Sequence, residues 1–146
     1  MKNILMALAI LAASTTALAA DVTASIGTNG GSRTEFGSLA VGKQFNGFRG
    51  EAVVTHAAAR AYDTVGFNVV APLTAVGGVS IGAKAGASYA FVKDARDGAT
   101  LNLGVEAAYP LSKTVSLVGS VERVFAQNRV RGLEGNVVAV GIRTTF

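Results

Sequence analysis

Residues 135–146 read GNVVAVGIRTTF. From Val138 onward, Val138, Val140, Ile142, Thr144 and Phe146 fall on one side of an extended strand, and Ala139, Gly141, Arg143 and Thr145 on the other. Successive side chains of a strand point to opposite faces, so the segment carries an apolar ribbon backed by a small-or-charged one. It also stops on a large aromatic ring in mid-pattern. A frayed end of a soluble domain gains nothing from such a ring. What the apolar ribbon faces, a protein core or a lipid, decides the fold.

The same period of two runs upstream. Val79, Ile81, Ala83, Ala85, Ala87, Tyr89 and Phe91 oppose Ser80, Gly82, Lys84, Gly86, Ser88 and Ala90, while Leu101, Leu103, Val105, Ala107 and Tyr109 oppose Asn102, Gly104, Glu106 and Ala108. Val22, Ala24 and Ile26 repeat it near residue 21. Turn-forming stretches punctuate these runs: GTNGGS (27–32), FNGFRG (45–50), APLTAVGG (71–78), KDARDGA (93–99), YPLSK (109–113) and QNRVRGLEGN (127–136). Glycine, proline and asparagine clusters of this kind bound strands. Eight strands are predicted, over 21–27, 33–43, 50–60, 62–71, 79–92, 100–109, 114–126 and 137–146. Most approach the ~9–11 residues of a membrane-crossing strand. The alanine-rich 51–62 has helix propensity, and its place between two turns argues for a strand instead. In TEFGSLAVGKQF the apolar face switches after Phe36, which predicts a bulge there.

Residues 1–20 stand apart. Lys2, an apolar stretch from Ile4 to Ala13 and small residues at 17–20 have the layout of a secretory signal peptide, with cleavage near Ala19 or Ala20. The expected organisation is a signal peptide over 1–20 and one β-domain over 21–146. The chain has no cysteine, which excludes disulfides, Cys-ligated metals and lipid attachment at the cleavage site. Without Lys2 there remain twelve basic and nine acidic residues. These charges are scattered and form no basic block of the kind that binds nucleic acid.

A β-sandwich and a membrane barrel share this alternation, and three features favour lipid. Lys84, Glu106, Glu122, Arg143 and Glu35 sit mid-strand on the polar faces among glycine, alanine and serine. Small neighbours leave room inside an eight-stranded barrel, whose interior is just wide enough for side chains to fill. The aromatics also sort by strand end. Phe45, Phe48, Tyr109 and Phe146 fall at one end, Phe36, Tyr62, Tyr89, Phe91 and Phe125 toward the other, as interfacial girdles do. Finally, the connections alternate in character: both prolines fall in turns at one end, and the clusters of charge lie at the opposite end.

Together these features resemble the small eight-stranded outer-membrane barrels of Gram-negative bacteria, of the OmpX and OmpA transmembrane-domain type, over all of 21–146. The resemblance implies an all-β, antiparallel, up-and-down transmembrane barrel, monomeric and without enzymatic activity or cofactor. It also implies a wall bathed in outer-membrane lipid and lipopolysaccharide, and a structural or surface-interaction role. Its most specific part is the ending, where Val140, Ile142 and Phe146 match the final strand that barrel-assembly machinery recognises in that family. Thr144 departs from the pattern, which has a larger apolar or aromatic residue there, and the loops are shorter than in adhesive members. Three other readings stay open: a narrow passive pore, a soluble periplasmic sandwich or lipocalin-like carrier, and a lipid-modifying hydrolase. The last would be built on His56, the one histidine, with distant partners such as Ser38, Ser88 or Glu51. The glycine loop 27–32 lacks the Lys-Ser/Thr of a phosphate loop, and 93–99 lacks calcium-loop spacing.

Overall fold

A sheet with one apolar and one polar face can leave water in two ways, by stacking on a second sheet or by closing on itself. This chain closes. The computed structural model describes residues 21–57, 62–93 and 96–146. In it, eight strands form a single closed barrel: β1 (Asp21–Asn29), β2 (Thr34–Phe45), β3 (Phe48–Ala57), β4 (Tyr62–Val76), β5 (Val79–Val92), β6 (Gly98–Pro110), β7 (Val115–Ala126) and β8 (Gly135–Thr145). Each pairs antiparallel with its sequence neighbours, and β1 closes on β8 with Asp21 opposite Thr145 and Asn29 opposite Val137. The backbone ladder therefore has no open edge, the condition for placing a sheet in a bilayer. The predicted leader and residues 58–61 lie outside the described residues.

The first residue of β1 and the last of β8 share one rim of the barrel, here called the lower. The connections at that rim are short. Asn46–Gly47 joins β2 to β3, with Gly47 at φ 86°. Gly77–Gly78 joins β4 to β5 with φ 59° and 83°, the two positive values of a type I′ hairpin turn. The upper connections run to four residues or more, and the β7–β8 connection carries a short 3₁₀ segment, Asn128–Leu133.

Two local expectations are corrected. No bulge follows Phe36, because β2 pairs without a break against β1 and against β3. The apolar face switches there because Phe36 turns into the barrel. The register shift lies instead in β4, where Pro72 pairs with Gly82 and Thr74 with Ile81, leaving Leu73 unmatched. Proline has no N–H to give the ladder, so a bulge is where a strand tolerates it. The stretch 71–78 is thus mostly strand, and its turn is confined to the two glycines.

Candidate functional site

The inward positions hold the chemistry. At the lower level, Arg49 Nε donates to Asp21 Oδ2 at 2.9 Å while a second guanidinium nitrogen binds the other carboxylate oxygen, and Nη1 binds Glu51. Arg143 Nη2 donates to Glu106 Oε1 at 2.5 Å, and its Nε donates to Thr23 Oγ1 at 3.1 Å and lies 3.9 Å from Asp21. One level up, Lys84 Nζ stands 3.3 Å from Glu51 and 3.0 Å from Glu122. Asn68 donates to Glu51 at 2.9 Å, Asn102 to Glu122 at 2.6 Å, and Ser120 to Glu122 at 2.9 Å.

Every strand but β2 sends a polar group into this network. The glycines make room for it: a Cβ at Gly42 would run into the Arg49 guanidinium, and one at Gly86 into Asn68 and Asn102. Four carboxylates face three cations, each within reach of an opposite charge, which is what makes ionised side chains tolerable away from water.

Above the ions lies a chamber of about 130 Å³, lined by the hydroxyls of Ser25, Ser38, Thr55, Thr64, Ser88 and Thr100 with Lys84 and Glu122 as its floor. It has room for roughly four waters. Its roof is apolar. Val130 and Leu133 of the 3₁₀ segment are buried against Ala57, Tyr62 and Ala90, with Phe36, Val92 and Ala126 packed around them. Asn29 Nδ2 pins this roof by donating to the Leu133 carbonyl at 2.9 Å.

Four of the charges singled out from sequence, Lys84, Glu106, Glu122 and Arg143, meet in this network. Glu35 does not. It lies on the outer wall and is exposed, because Thr34 and Phe36 on either side of it take the inward positions. Asp21, Arg49 and Glu51 join the network without having been expected there. Their signal is present in the sequence: Asp21 and Thr23 alternate with Val22 and Ala24, and Arg49 and Glu51 with Phe48 and Ala52. Arg49 reads as part of a turn over 45–50, whereas the turn ends at Gly47 and β3 begins at Phe48.

The outer wall is the apolar one. Ile26, Phe67, Leu101, Leu103, Val105, Val121, Val138, Val140 and Ile142 are all exposed on it. At the lower rim Phe45 stacks on Phe48 at 5.1 Å, and Tyr109 and Phe146 are exposed. At the upper rim Tyr89 meets Phe91 edge-on at 5.2 Å, with Phe125 also exposed. Phe36 and Tyr62, expected in the upper girdle, instead face inward under the roof. His56 is outside, its Nδ1 2.7 Å from Asp63 Oδ1. Ser38 and Ser88 line the chamber and Glu51 binds Lys84, all on the far side of the wall, so none of them can partner His56 in catalysis.

A lipocalin-like carrier buries apolar side chains and wets its exterior. This barrel is inverted, with ions inside and a hydrocarbon-like wall outside. Its fold is that of the small eight-stranded outer-membrane barrels. The N-terminal barrel domain of Pseudomonas aeruginosa OprF superposes with a TM-score of 0.72 at 10% identity, covering 86% of this chain and 96% of that one. Neisserial surface protein A gives 0.59 at 12% identity, over 86% and 94%. A major outer membrane protein from Thermus thermophilus gives 0.58 at 16% identity, over 86% and 99%. No protein-family model matches the sequence, and no curated protein matches it significantly. At these identities the likeness is one of fold.

Proposed function

We propose that this chain is a monomeric, non-enzymatic resident of the outer membrane of a Gram-negative bacterium, exported with loss of residues 1–20, with a structural or surface-interaction role in the envelope. The observation that carries this reading is the inversion of the wall: buried Asp21, Arg49, Glu51 and Glu106 inside, exposed Leu101, Leu103, Val138 and Val140 outside. Such a wall is stable only against hydrocarbon. Bacterial barrels keep short turns on the periplasmic side and longer loops outside, which supports a periplasmic lower rim and an external upper rim. The partners in this reading are outer-membrane lipid and lipopolysaccharide at the wall and barrel-assembly machinery at β8.

The ion network and the apolar roof support a plugged barrel over a passive pore, because each interrupts the path at a different level. The test is electrophoretic mobility of the membrane fraction in SDS, unboiled against boiled, beside single-channel recording of the purified barrel. A heat-dependent mobility shift without conductance steps is expected. Recovery in the soluble periplasm without a shift overturns the membrane reading, and stable conductance overturns the plug.

A further inference from the structure

The outer wall is not uniformly apolar. Near its upper edge, four adjacent strands each turn a polar side chain outward: Thr28 on β1, Glu35 on β2, His56 on β3 and Asp63 on β4. The register makes them neighbours, since Thr28 lies opposite Glu35, His56 opposite Asp63, and Gly37, two residues below Glu35, opposite His56. Below Glu35 and level with His56 the wall is notched. Gly37 puts no side chain on the surface, and a Cβ built there would meet nothing within 4 Å. The notch is part of a groove of about 620 Å³ whose apolar sides are Ile26, Val138 and Val140 and whose rim includes Glu35 and His56. That volume is in the range of small-molecule sites.

The chemistry of the rim is one-signed. Among the described residues, Glu35 makes no salt bridge, and no cationic side chain lines the groove. The Asp63 carboxylate can only accept, so the proton between it and His56 sits on Nδ1. In the neutral ring this leaves Nε2 as a second acceptor beside Glu35. Acceptors and negative charge thus stand above and beside an apolar trough, near the upper edge of the wall.

We propose that this groove seats one membrane lipid whose headgroup carries a primary ammonium, its acyl chain lying over Gly37 beside Ile26 and its ammonium held by Glu35 and His56. An ammonium offers three N–H donors to that set of acceptors, whereas an anionic headgroup is repelled by Glu35 and Asp63. The inference rests on the membrane reading above and adds a site and a headgroup chemistry to it.

The test is native mass spectrometry of the detergent-purified mature chain with phosphatidylethanolamine or phosphatidylglycerol of identical acyl chains. A single phosphatidylethanolamine adduct is expected to exceed the phosphatidylglycerol adduct by roughly tenfold, the worth of one charge-assisted hydrogen bond. Glu35→Gln and Gly37→Leu should each bring the ratio close to one. Gly37→Leu enters open space on the outside of a strand, so the barrel should still form, as a heat-dependent gel shift of the variant would verify. Equal retention of the two lipids by the wild type overturns the site, and so does an unchanged ratio in both variants. Loss in Gly37→Leu with the ratio kept in Glu35→Gln overturns the ammonium assignment. A wild-type chain that shows no gel shift and stays soluble without detergent overturns the membrane reading itself.

Discussion

The guanidinium of Arg49 reaches back 28 positions to grip the carboxylate of Asp21, the first residue of β1, with two hydrogen bonds. The contact joins β3 to β1 across β2, which offers only Ala40 and Gly42 beneath it. Glu51 holds the same guanidinium from two residues away. One cation thus bridges two carboxylates at the lower end of the interior, next to the strand that closes the ring.

Arg49→Met should therefore be among the most damaging single changes in the protein. Removing one partner of a buried ion pair costs about 3–5 kcal/mol, because the abandoned charge stays behind. Urea titration of the folded band on an unboiled gel should show a clear fall in midpoint. Combining R49M with Asp21→Asn and Glu51→Gln should recover much of the loss, since no uncompensated charge remains. Failure of the triple variant to recover would mean that Arg49 acts through packing instead.

Arg143→Ala separates stability from conduction. Arg143 binds Glu106 and Thr23 at the lower level, while Lys84, Glu51 and Glu122 close the next level and the apolar roof closes the top. The variant should unfold at lower urea and still show no conductance steps in planar bilayers. A large new conductance would show that Arg143 alone occludes the interior.

Glycines on the two faces of the wall should respond oppositely. An added methyl at Gly86 collides with Asn68 and Asn102 of the interior network, whereas one at Gly37 meets open space. Overpacking of a filled interior costs about 1–3 kcal/mol. Gly86→Ala should lower the urea midpoint accordingly, and Gly37→Ala should leave it unchanged or raise it slightly. Equal effects would mean that the interior yields without strain.

The alternation of 79–91, 101–109 and 138–146 makes eight antiparallel strands legible from sequence, since a strand buried on one face must repeat every two residues. The charged side of those strands is legible for the same reason. Glu35 is misplaced because local pattern gives two phases around Phe36, and only the pairing of β2 with both neighbours selects the one that puts Phe36 inside. Asp21 and Arg49 escape notice because each stands at a strand end, where turn chemistry and strand alternation predict different things. Neither the roof nor the groove at Gly37 can be read from the chain alone. The first is a loop folding back on the mouth, and the second needs side chains from β1, β2, β3 and β8 side by side.

The roof of the chamber makes a prediction that the lack of cysteine renders clean. Ser88→Cys would place the chain's single thiol in the chamber, under Leu133 and Val130. A charged, membrane-impermeant thiol reagent should label it slowly. Adding Leu133→Ala removes about 2 kcal/mol or more of packing from the roof, so labelling should speed up by roughly tenfold or more. An equal rate in both proteins would mean that the roof does not control access from above.

Phe146 tests whether the end of the chain serves stability or assembly. The residue is 82% exposed and follows the last residue of β8, so it adds little to the packed interior. Phe146→Ala should leave the urea midpoint of barrels refolded in detergent close to wild type, within the ±0.5 kcal/mol usual for surface positions. In cells the same change should reduce the folded, heat-shifted band in the outer-membrane fraction and raise unfolded precursor, if the final strand is what the assembly machinery reads. Val140→Asn provides the contrast. It puts an amide on the apolar outer wall in mid-strand, so it should weaken the barrel both in detergent and in cells. A Phe146→Ala barrel as weak as Val140→Asn in detergent would make the terminal ring a structural residue of the lower girdle. Wild-type levels of folded Phe146→Ala in cells would remove its role in assembly.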